Sequence, residues 1–195
     1  SSPWHRQTSF LLDGTVALDA GALTQSLTLE EQSCVRSILV THSHLDHVAS
    51  LPFLVENVFG RTEGPIEIVG PKDVTTLLQG HLFNDAIWPD FTRIPTHLLP
   101  AVTFRAVEEG TPFRVDGLHG LAVAVSHVVP TFGYLLWDDR ACVIFSGDTG
   151  PTEALWAAAR SRDDLKSIFV ECSFPDSMAE IAEVSRHLTP ATLAL

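Results

Sequence analysis

The sequence predicts a layered fold of the α/β or α+β class. Short apolar runs typical of strands outnumber the stretches with helical periodicity, and the two kinds alternate along the chain. The 195 residues are enough for one domain with a sizeable core. Hydrophobic residues make up 45% and charged residues 18%, which is typical of globular rather than disordered protein. We therefore expect a single domain over residues 1–195.

The first half of the chain is expected to open with a β-hairpin, because Asp13-Gly14 is a strong turn dipeptide between two strand-like runs. Residues 37–40 (SILV) are β-rich and lack alternation, which favours a strand buried on both faces. Apolar residues in 48–58 recur close to the helical period. The predicted strands are residues 9–12, 16–18, 37–40 and 66–69, and the predicted helices are residues 27–32, 48–58 and 73–82.

The second half begins with residues 83–100, which contain Pro89, Pro95 and Pro100 and are expected to be irregular. Thr189-Pro190 is typical of an N-cap and the first position of a helix. The predicted strands are residues 102–107, 121–127, 134–137, 142–145 and 168–170, and the predicted helices are residues 152–161 and 177–187.

Charge and composition restrict the class of partner. Twelve Lys and Arg against twenty-four Asp and Glu give a formal net charge of −12, which disfavours a protein that holds nucleic acid through its phosphates. The three cysteines form no CxxC pair, so we expect them to be buried small side chains. No apolar run approaches the roughly 20 residues that span a bilayer, and the first residues lack a signal-peptide pattern. We expect a cytoplasmic protein without membrane contact.

The segment THSHLDH at residues 41–47 carries the strongest functional signal. His42, His44, Asp46 and His47 place four potential metal ligands directly after a predicted buried strand. His42 and His44 are two residues apart and point the same way in extended backbone. Asp46 and His47 follow where the chain turns into a helix, so the spacing suggests one pair of ligands for each of two metals. Burying these groups without a cation would leave them uncompensated.

Two later residues repeat the pattern of an apolar run followed by a potential ligand. His127 follows LAVAVS, and Asp148 lies in FSGDTG, where the glycines permit close approach. A carboxylate at Asp148 could bridge two cations. Alone, His127 would more often be a structural histidine and Asp148 a turn residue. The metal-ligand pattern at residues 41–47 favours the interpretation of both as further ligands.

With these motifs the chain resembles the metallo-β-lactamase superfamily, whose HxHxDH signature matches THSHLDH. Within it, HSHLDHVASLPFLVEN, VECSF and RHLTP look most like the class II 3′,5′-cyclic-nucleotide phosphodiesterases. The resemblance implies a four-layer αββα sandwich. It implies two divalent metal ions, with Zn²⁺ expected and Mn²⁺ or Fe as alternatives. His42, His44 and His127 would hold one ion and Asp46 and His47 the other, with Asp148 as the bridge.

The resemblance has further implications for the site. Asp19 in VALDAG would support the ligands from behind. The last ligand of the second metal in this family is a histidine beyond the HLTP-like segment, so either the natural chain continues past Leu195 or this ligand is absent and the second metal is weaker or missing. The first strand of the family normally lies upstream, so we expect the natural chain to extend at both ends. His187 would contact phosphate or protonate the leaving oxygen, whereas its alternative interpretation is a histidine favoured at a helix C-terminus. Asp46 would bind metal and orient the attacking water.

The implied activity is hydrolysis of a 3′,5′-cyclic nucleotide such as cAMP to a 5′-nucleotide by a metal-activated hydroxide. A homodimer is one alternative for the oligomeric state, and no sequence feature supports or excludes it. A tRNA 3′-processing endonuclease is the nearest rival, but it should carry a basic arm to grip tRNA. Hydrolysis of a lactone, thioester or β-lactam, and a non-catalytic scaffold, are further alternatives. We expect Glu153, Glu171 and Glu180 to be solvated, and Trp88, Phe91 and His97 to pack rather than stack on a base.

Overall fold

The computed structural model describes residues 5–194 and divides the chain into two compact units, Ser1–Ala106 and Val107–Leu195. The strands are β1 Phe10–Leu12, β2 Val16–Leu18, β3 Ser37–Leu39, β4 Ile66–Pro71, β5 Pro95–Thr96, β6 Leu99–Pro100, β7 Val102–Val107, β8 Pro112–Val115, β9 Leu118–Ala124, β10 Phe132–Trp137, β11 Cys142–Phe145 and β12 Leu165–Phe169. The α-helices are α1 Leu23–Ser26, α2 Leu29–Cys34, α3 Leu45–Val48, α4 Leu51–Val58, α5 Lys72–His81, α6 Glu153–Arg160, α7 Ala179–Ser185 and α8 Pro190–Leu193, and a 3₁₀ turn spans Asp176–Met178. The mixed α/β content agrees with the predicted class.

The first unit is built on a five-stranded sheet in the order β1-β2-β3-β4-β7. The predicted hairpin is confirmed, since β1 and β2 pair in antiparallel register around Asp13 and Gly14, whose φ angles are 48° and 78°. Both residues adopt the left-handed conformation that such a tight turn requires. β2, β3 and β4 are parallel, so their carboxyl ends lie at one edge of the sheet.

Helix packing explains why the central strands of this unit are so apolar. Ile38 of β3 and Ile68 of β4 are fully buried in one cluster with Leu51 and Leu54 of α4. Each such side chain contributes about 1.5–3 kcal/mol when removed from water. The helix predicted at residues 48–58 is two helices, because α3 ends before Pro52 begins the first turn of α4.

Residues 82–101 are mostly irregular, as their prolines indicate, but they include the short antiparallel pair β5–β6. The side chain of Trp88 contacts Phe53 with ring centroids 5.2 Å apart, and that of Phe91 contacts Phe59 at 5.6 Å. These contacts agree with the packing role expected for both aromatic residues. His97 lies in the exposed turn between the two short strands.

The second unit contains a five-stranded sheet in the order β12-β11-β10-β9-β8. β9 and β10 are antiparallel, β10 and β11 are antiparallel, and β11 and β12 are parallel. β9, β11 and β12 consequently run in the same direction and end at the same edge. The edge strand β8 was not predicted, since the short run PFRV is only partly buried. The strand predicted at residues 121–127 starts earlier and ends at Ala124.

Two predictions about the cysteines were wrong. Cys142 is buried in β11, but Cys34 and Cys172 are exposed. Cys34 ends the amphipathic helix α2 and Cys172 follows β12, where neither backbone position faces a core. In the range 5–194 no helix is long and apolar enough to cross a membrane.

Candidate metal centre

The ligand-like residues of the first unit follow the carboxyl end of β3, beside the end of β2. In parallel sheets this edge is where ligands bind, because the loops that leave neighbouring strands converge there. Thr41 and His42 are fully buried directly beyond β3. His44 is the N-cap residue of α3, and Asp46 and His47 lie within that helix. The change from extended chain to helix therefore turns all four predicted ligands towards one place.

The three imidazoles of this unit are in contact. The ring centroid of His42 lies 4.7 Å from that of His44 and 4.1 Å from that of His47. The Nε2 atom of His47 lies 3.8 Å from a carboxylate oxygen of Asp46, whose side chain is 61% exposed. The structure therefore brings together the four residues predicted from the segment THSHLDH. It leaves the Asp46 carboxylate open to solvent and buries the imidazole of His47.

Asp19, at the end of β2, lies behind His47. One of its carboxylate oxygens is 2.7 Å from Nδ1 of His47, and the side chain is completely buried. Burial raises the pKa of the Asp19 carboxyl, and the hydrogen bonds from His47 and Thr41 oppose that change. When Asp19 accepts this hydrogen bond, Nδ1 of His47 carries the proton and Nε2 of the neutral ring carries the lone pair. This is the tautomer that can bind a cation through Nε2.

The segment from Asp19 to Gly21 also holds the backbone of α3 in place. The amide of Ala20 donates to the carbonyl of His47 at 2.7 Å, and the amide of Ser50 donates to the carbonyl of Ala20 at 2.7 Å. A Cβ atom at Gly21 would overlap the backbone oxygen of Asp46. Only glycine permits this approach, so Gly21 fixes how closely the ligand segment packs on the end of β2.

In the second unit, polar side chains follow the three strands that end at the same edge. His127 comes three residues after β9, Asp148 three residues after β11 and Glu171 two residues after β12. His187 follows α7. Ligand atoms of His127 and Asp148 lie within 4.8 Å of each other. The ring centroids of His127 and His187 are 5.0 Å apart. The structure therefore brings His127, Asp148 and His187 together in this unit.

Glu171 also belongs to this group, and the prediction that it is a solvated charge was wrong. Its carboxylate oxygen Oε1 lies 2.8 Å from Nδ1 of His187, and its side chain is only 10% exposed rather than solvated. The amides of Thr149 and Ser173 donate to the same carboxylate at 3.0 and 2.9 Å. The Nε2 atom of His187 then lies 4.0 Å from Asp148. The signal available in the sequence was the position of Glu171 directly after a strand, as with His127 and Asp148.

Arg186 holds His127 from two sides. Nδ1 of His127 lies 3.1 Å from the carbonyl oxygen of Arg186, and the guanidinium of Arg186 donates to the carbonyl of His127 at 2.8 Å. A carbonyl oxygen can only accept, so Nδ1 of His127 is protonated and its lone pair is on Nε2. Arg186 is the left-handed C-cap of α7, with φ 55° and ψ 58°. The end of α7 thus sets the orientation of a predicted ligand.

The donor chemistry of both groups fits divalent cations. Imidazole nitrogen and carboxylate oxygen are the usual ligands of Zn²⁺ and its neighbours in the first transition row. His47 and His127 each donate from Nδ1 to a carboxylate or carbonyl oxygen, which is the arrangement that metal-binding histidines almost always show. Each unit therefore presents a group of side chains suited to cation binding.

Comparison with known proteins adds a family match over nearly the whole chain. Residues 9–194 match the model of the beta-lactamase superfamily domain. The chain is similar to 3′,5′-cyclic-nucleotide phosphodiesterase 1 of Saccharomyces cerevisiae, with 28% identity over 196 residues that cover 88% of this chain and 52% of the relative. It is also similar to ribonuclease Z of Bacillus licheniformis, with 33% identity over 120 residues, 60% of this chain and 36% of the relative.

The fold is shared with a solved structure. The crystal structure of unliganded yeast PDE1 matches with a TM-score of 0.73 and 24% identity over 85% of this chain and 52% of that one. Together with the family match, this confirms the predicted metallo-β-lactamase fold. The chain spans about half the length of the yeast phosphodiesterase and about a third of the ribonuclease.

Proposed function

We propose that this chain, which belongs to the beta-lactamase superfamily, is a metal-dependent phosphodiesterase that hydrolyses 3′,5′-cyclic nucleotides to 5′-nucleotides. The observation that carries the proposal is the orientation of its histidines. His47 and His127 each have Nδ1 held by an oxygen acceptor, which leaves the Nε2 lone pair for a cation. Histidines with a purely structural role would not need the same hydrogen-bond direction at Nδ1.

We propose that the two groups serve one centre for two divalent cations, with Zn²⁺ as the expected metal. The first cation would be held by His42, His44 and His127, the second by Asp46 and His47, and Asp148 would bridge them. When bound, such a pair of cations lowers the pKa of a shared water and offsets the charge that develops on phosphoryl oxygens. This ligand assignment rests on the order of the motifs in the sequence and on the donor types of the residues.

The remaining steps belong to side chains of the protein. The exposed carboxylate of Asp46 accepts a hydrogen bond from the attacking water and orients it towards phosphorus. His187 takes up a proton at Nε2, and the carboxylate of Glu171, 2.8 Å from Nδ1, stabilises the resulting imidazolium. His187 then donates this proton to the 3′-oxygen as its bond to phosphorus breaks, so the ring opens to a 3′-hydroxyl rather than a 3′-alkoxide and the phosphate stays on the 5′-oxygen.

Two observations support a small cyclic substrate. The cyclic-nucleotide phosphodiesterase of yeast is similar over 88% of this chain. The formal net charge of −12 disfavours a long polyanion, which would need a basic surface. Both point to a substrate with a single phosphodiester.

A tRNA 3′-processing nuclease is the second candidate, favoured by the 33% identity to a bacterial ribonuclease Z. Both activities hydrolyse a phosphodiester bond with the same types of metal ligand. They differ in the rest of the substrate around that bond. Binding of tRNA would have to be steeply salt-dependent, because it would release counterions from many phosphates. Hydrolysis of a single cyclic nucleotide would change little with salt.

A substrate panel tests the proposal on full-length protein loaded with zinc or with manganese. The panel contains cAMP, cGMP, bis(4-nitrophenyl) phosphate, a tRNA precursor and a lactone, each assayed with and without a chelator. We expect metal-dependent release of the 5′-nucleotide from a cyclic nucleotide to be the most efficient reaction. Cleavage of the tRNA precursor alone would establish the second candidate instead, and turnover that survives complete metal removal would refute both.

A further inference from the structure

Thr41 lies between two residues that the proposed metal centre uses in different ways. It lies two residues beyond β3, directly before His42, and it is completely buried. Asp19 directly follows β2, the parallel neighbour of β3. The amide nitrogen of Thr41 donates to one carboxylate oxygen of Asp19 at 2.8 Å. The backbone of Thr41 is therefore fixed with its side chain beside the carboxylate.

The hydroxyl of Thr41 contacts both neighbours. Oγ1 lies 2.9 Å from the nearer carboxylate oxygen of Asp19 and 3.0 Å from Nδ1 of His42. A hydroxyl has one proton to donate and lone pairs with which to accept. Oγ1 lies within hydrogen-bond distance of both carboxylate oxygens of Asp19, at 2.9 and 3.1 Å, and one of these oxygens also accepts from the amide of Thr41, so the hydroxyl proton is directed to Asp19. The hydroxyl oxygen then accepts from Nδ1 of His42, which leaves the lone pair of His42 on Nε2.

We infer that Thr41 is a positioning residue. Its hydroxyl donates to Asp19 and therefore accepts a hydrogen bond from Nδ1 of His42. One buried carboxylate thus selects the tautomer of two histidines, of His47 by direct contact at 2.7 Å and of His42 through the threonine hydroxyl. In both rings Nε2 becomes the atom that can hold a cation. The inference concerns ligation at the proposed metal centre and rests on that proposal.

The alternative is that Thr41 fills space and satisfies a buried carboxylate without affecting His42. Two substitutions separate these roles. Thr41→Val keeps the shape of the side chain but removes the hydroxyl, whereas Thr41→Ser keeps the hydroxyl. A matched control is Thr75→Val, which removes another buried hydroxyl, one that donates to the carbonyl of Lys72 at 2.9 Å within α5.

The first measurement is the tautomer of His42 in the metal-free protein, read from ¹⁵N chemical shifts of labelled histidine. We expect the proton on Nδ1 in the unsubstituted protein and in Thr41→Ser and Thr75→Val. In Thr41→Val we expect Nε2–H to be populated. A spectrum of the unsubstituted protein with the proton of His42 on Nε2 would overturn the inference, and this holds even if Thr41→Val does not fold.

The second measurement is zinc affinity, determined by competition with a chromophoric chelator. Loss of a group that orients a ligand typically costs 10–100-fold in metal affinity, so we expect a loss of about that size for Thr41→Val. Thr41→Ser and Thr75→Val should stay close to the unsubstituted protein. Zinc affinity in Thr41→Val equal to that of the unsubstituted protein would refute the role of Thr41. If the unsubstituted protein bound no zinc, the proposed function would fail, while the tautomer measurement would still decide the role of the hydroxyl.

Discussion

The Nδ1 atom of His187 lies 2.8 Å from the Oε1 atom of Glu171, and Nε2 of the same ring faces Asp148 at 4.0 Å. This arrangement supports the proposed role of His187 in proton transfer, in which Glu171 orients the ring.

The first prediction concerns Glu171→Gln, which removes the negative charge but keeps an oxygen acceptor for His187. We expect the turnover number with a cyclic nucleotide to fall about 100-fold, because a general acid contributes roughly 10²–10⁴-fold. Hydrolysis of bis(4-nitrophenyl) phosphate should fall much less, since nitrophenolate leaves without a proton. Steady-state kinetics on the two substrates measure the difference.

The control for this experiment is Glu183→Gln, which neutralises an exposed carboxylate on α7. It should leave both substrates unaffected. If Glu171→Gln slowed the two substrates equally, Glu171 would be acting on something other than departure of the leaving group, and the role of His187 as the acid would be lost.

Gly21 offers a prediction about packing. Gly21→Ala would drive a methyl group into the backbone oxygen of Asp46, and overpacking of this kind costs about 1–3 kcal/mol. We expect a lower free energy of unfolding in urea and weaker zinc binding, because the displaced segment carries the ligands. Gly64→Ala is the matched control, since a Cβ there meets nothing within 4 Å. Unchanged zinc binding in Gly21→Ala would show that the close approach does not position the ligands.

Arg186 has a strained backbone conformation and a side chain that donates a hydrogen bond to the carbonyl of His127. Its φ of 55° is unfavourable for any residue with a Cβ, at a cost of about 1–2 kcal/mol. Arg186→Ala keeps that strain and loses the hydrogen bond to the carbonyl of His127, whereas Arg186→Gly relieves it. We therefore expect Arg186→Ala to be less stable in urea than Arg186→Gly by about 1 kcal/mol. Equal stability of the two variants would mean that the left-handed cap is not maintained.

Metal removal should also lower the stability of the fold. A ligand that binds only the native state stabilises it by RT ln(1 + [L]/Kd), about 2.7 kcal/mol at one hundred times Kd. We expect chelation to lower the melting temperature and added zinc to restore it, as measured by differential scanning calorimetry. A melting temperature that changes with neither treatment would count against any native metal site.

Much of the fold was predictable because its signals are local. The hairpin at Asp13-Gly14, the buried strand β3 and the helix α6 after Thr152 each follow from turn chemistry, β-rich composition or helical periodicity. The edge strand β8 was missed because an exposed strand of four residues has no such pattern. The pair β5–β6 was missed because its prolines resemble those of an irregular segment.

The candidate site was likewise predictable only where its signals are local. His42, His44, Asp46 and His47 are adjacent in sequence, so their spacing alone predicted the cluster that the first unit forms. Glu171 was taken for a solvated charge because its partner, His187, lies sixteen residues further on. Their contact depends on the parallel pairing of β11 with β12 and on the turn after α7. No local pattern encodes either of these.

The metal content of the purified protein tests the account most directly. Inductively coupled plasma mass spectrometry should find about two divalent cations per chain. It should find fewer in His47→Ala, from the first unit, and in Asp148→Ala, from the second, while the exposed control Asp163→Asn keeps the full content. Full metal content in Asp148→Ala would contradict the claim that both groups of side chains serve one centre, as would a wild-type protein that holds no metal under any loading condition.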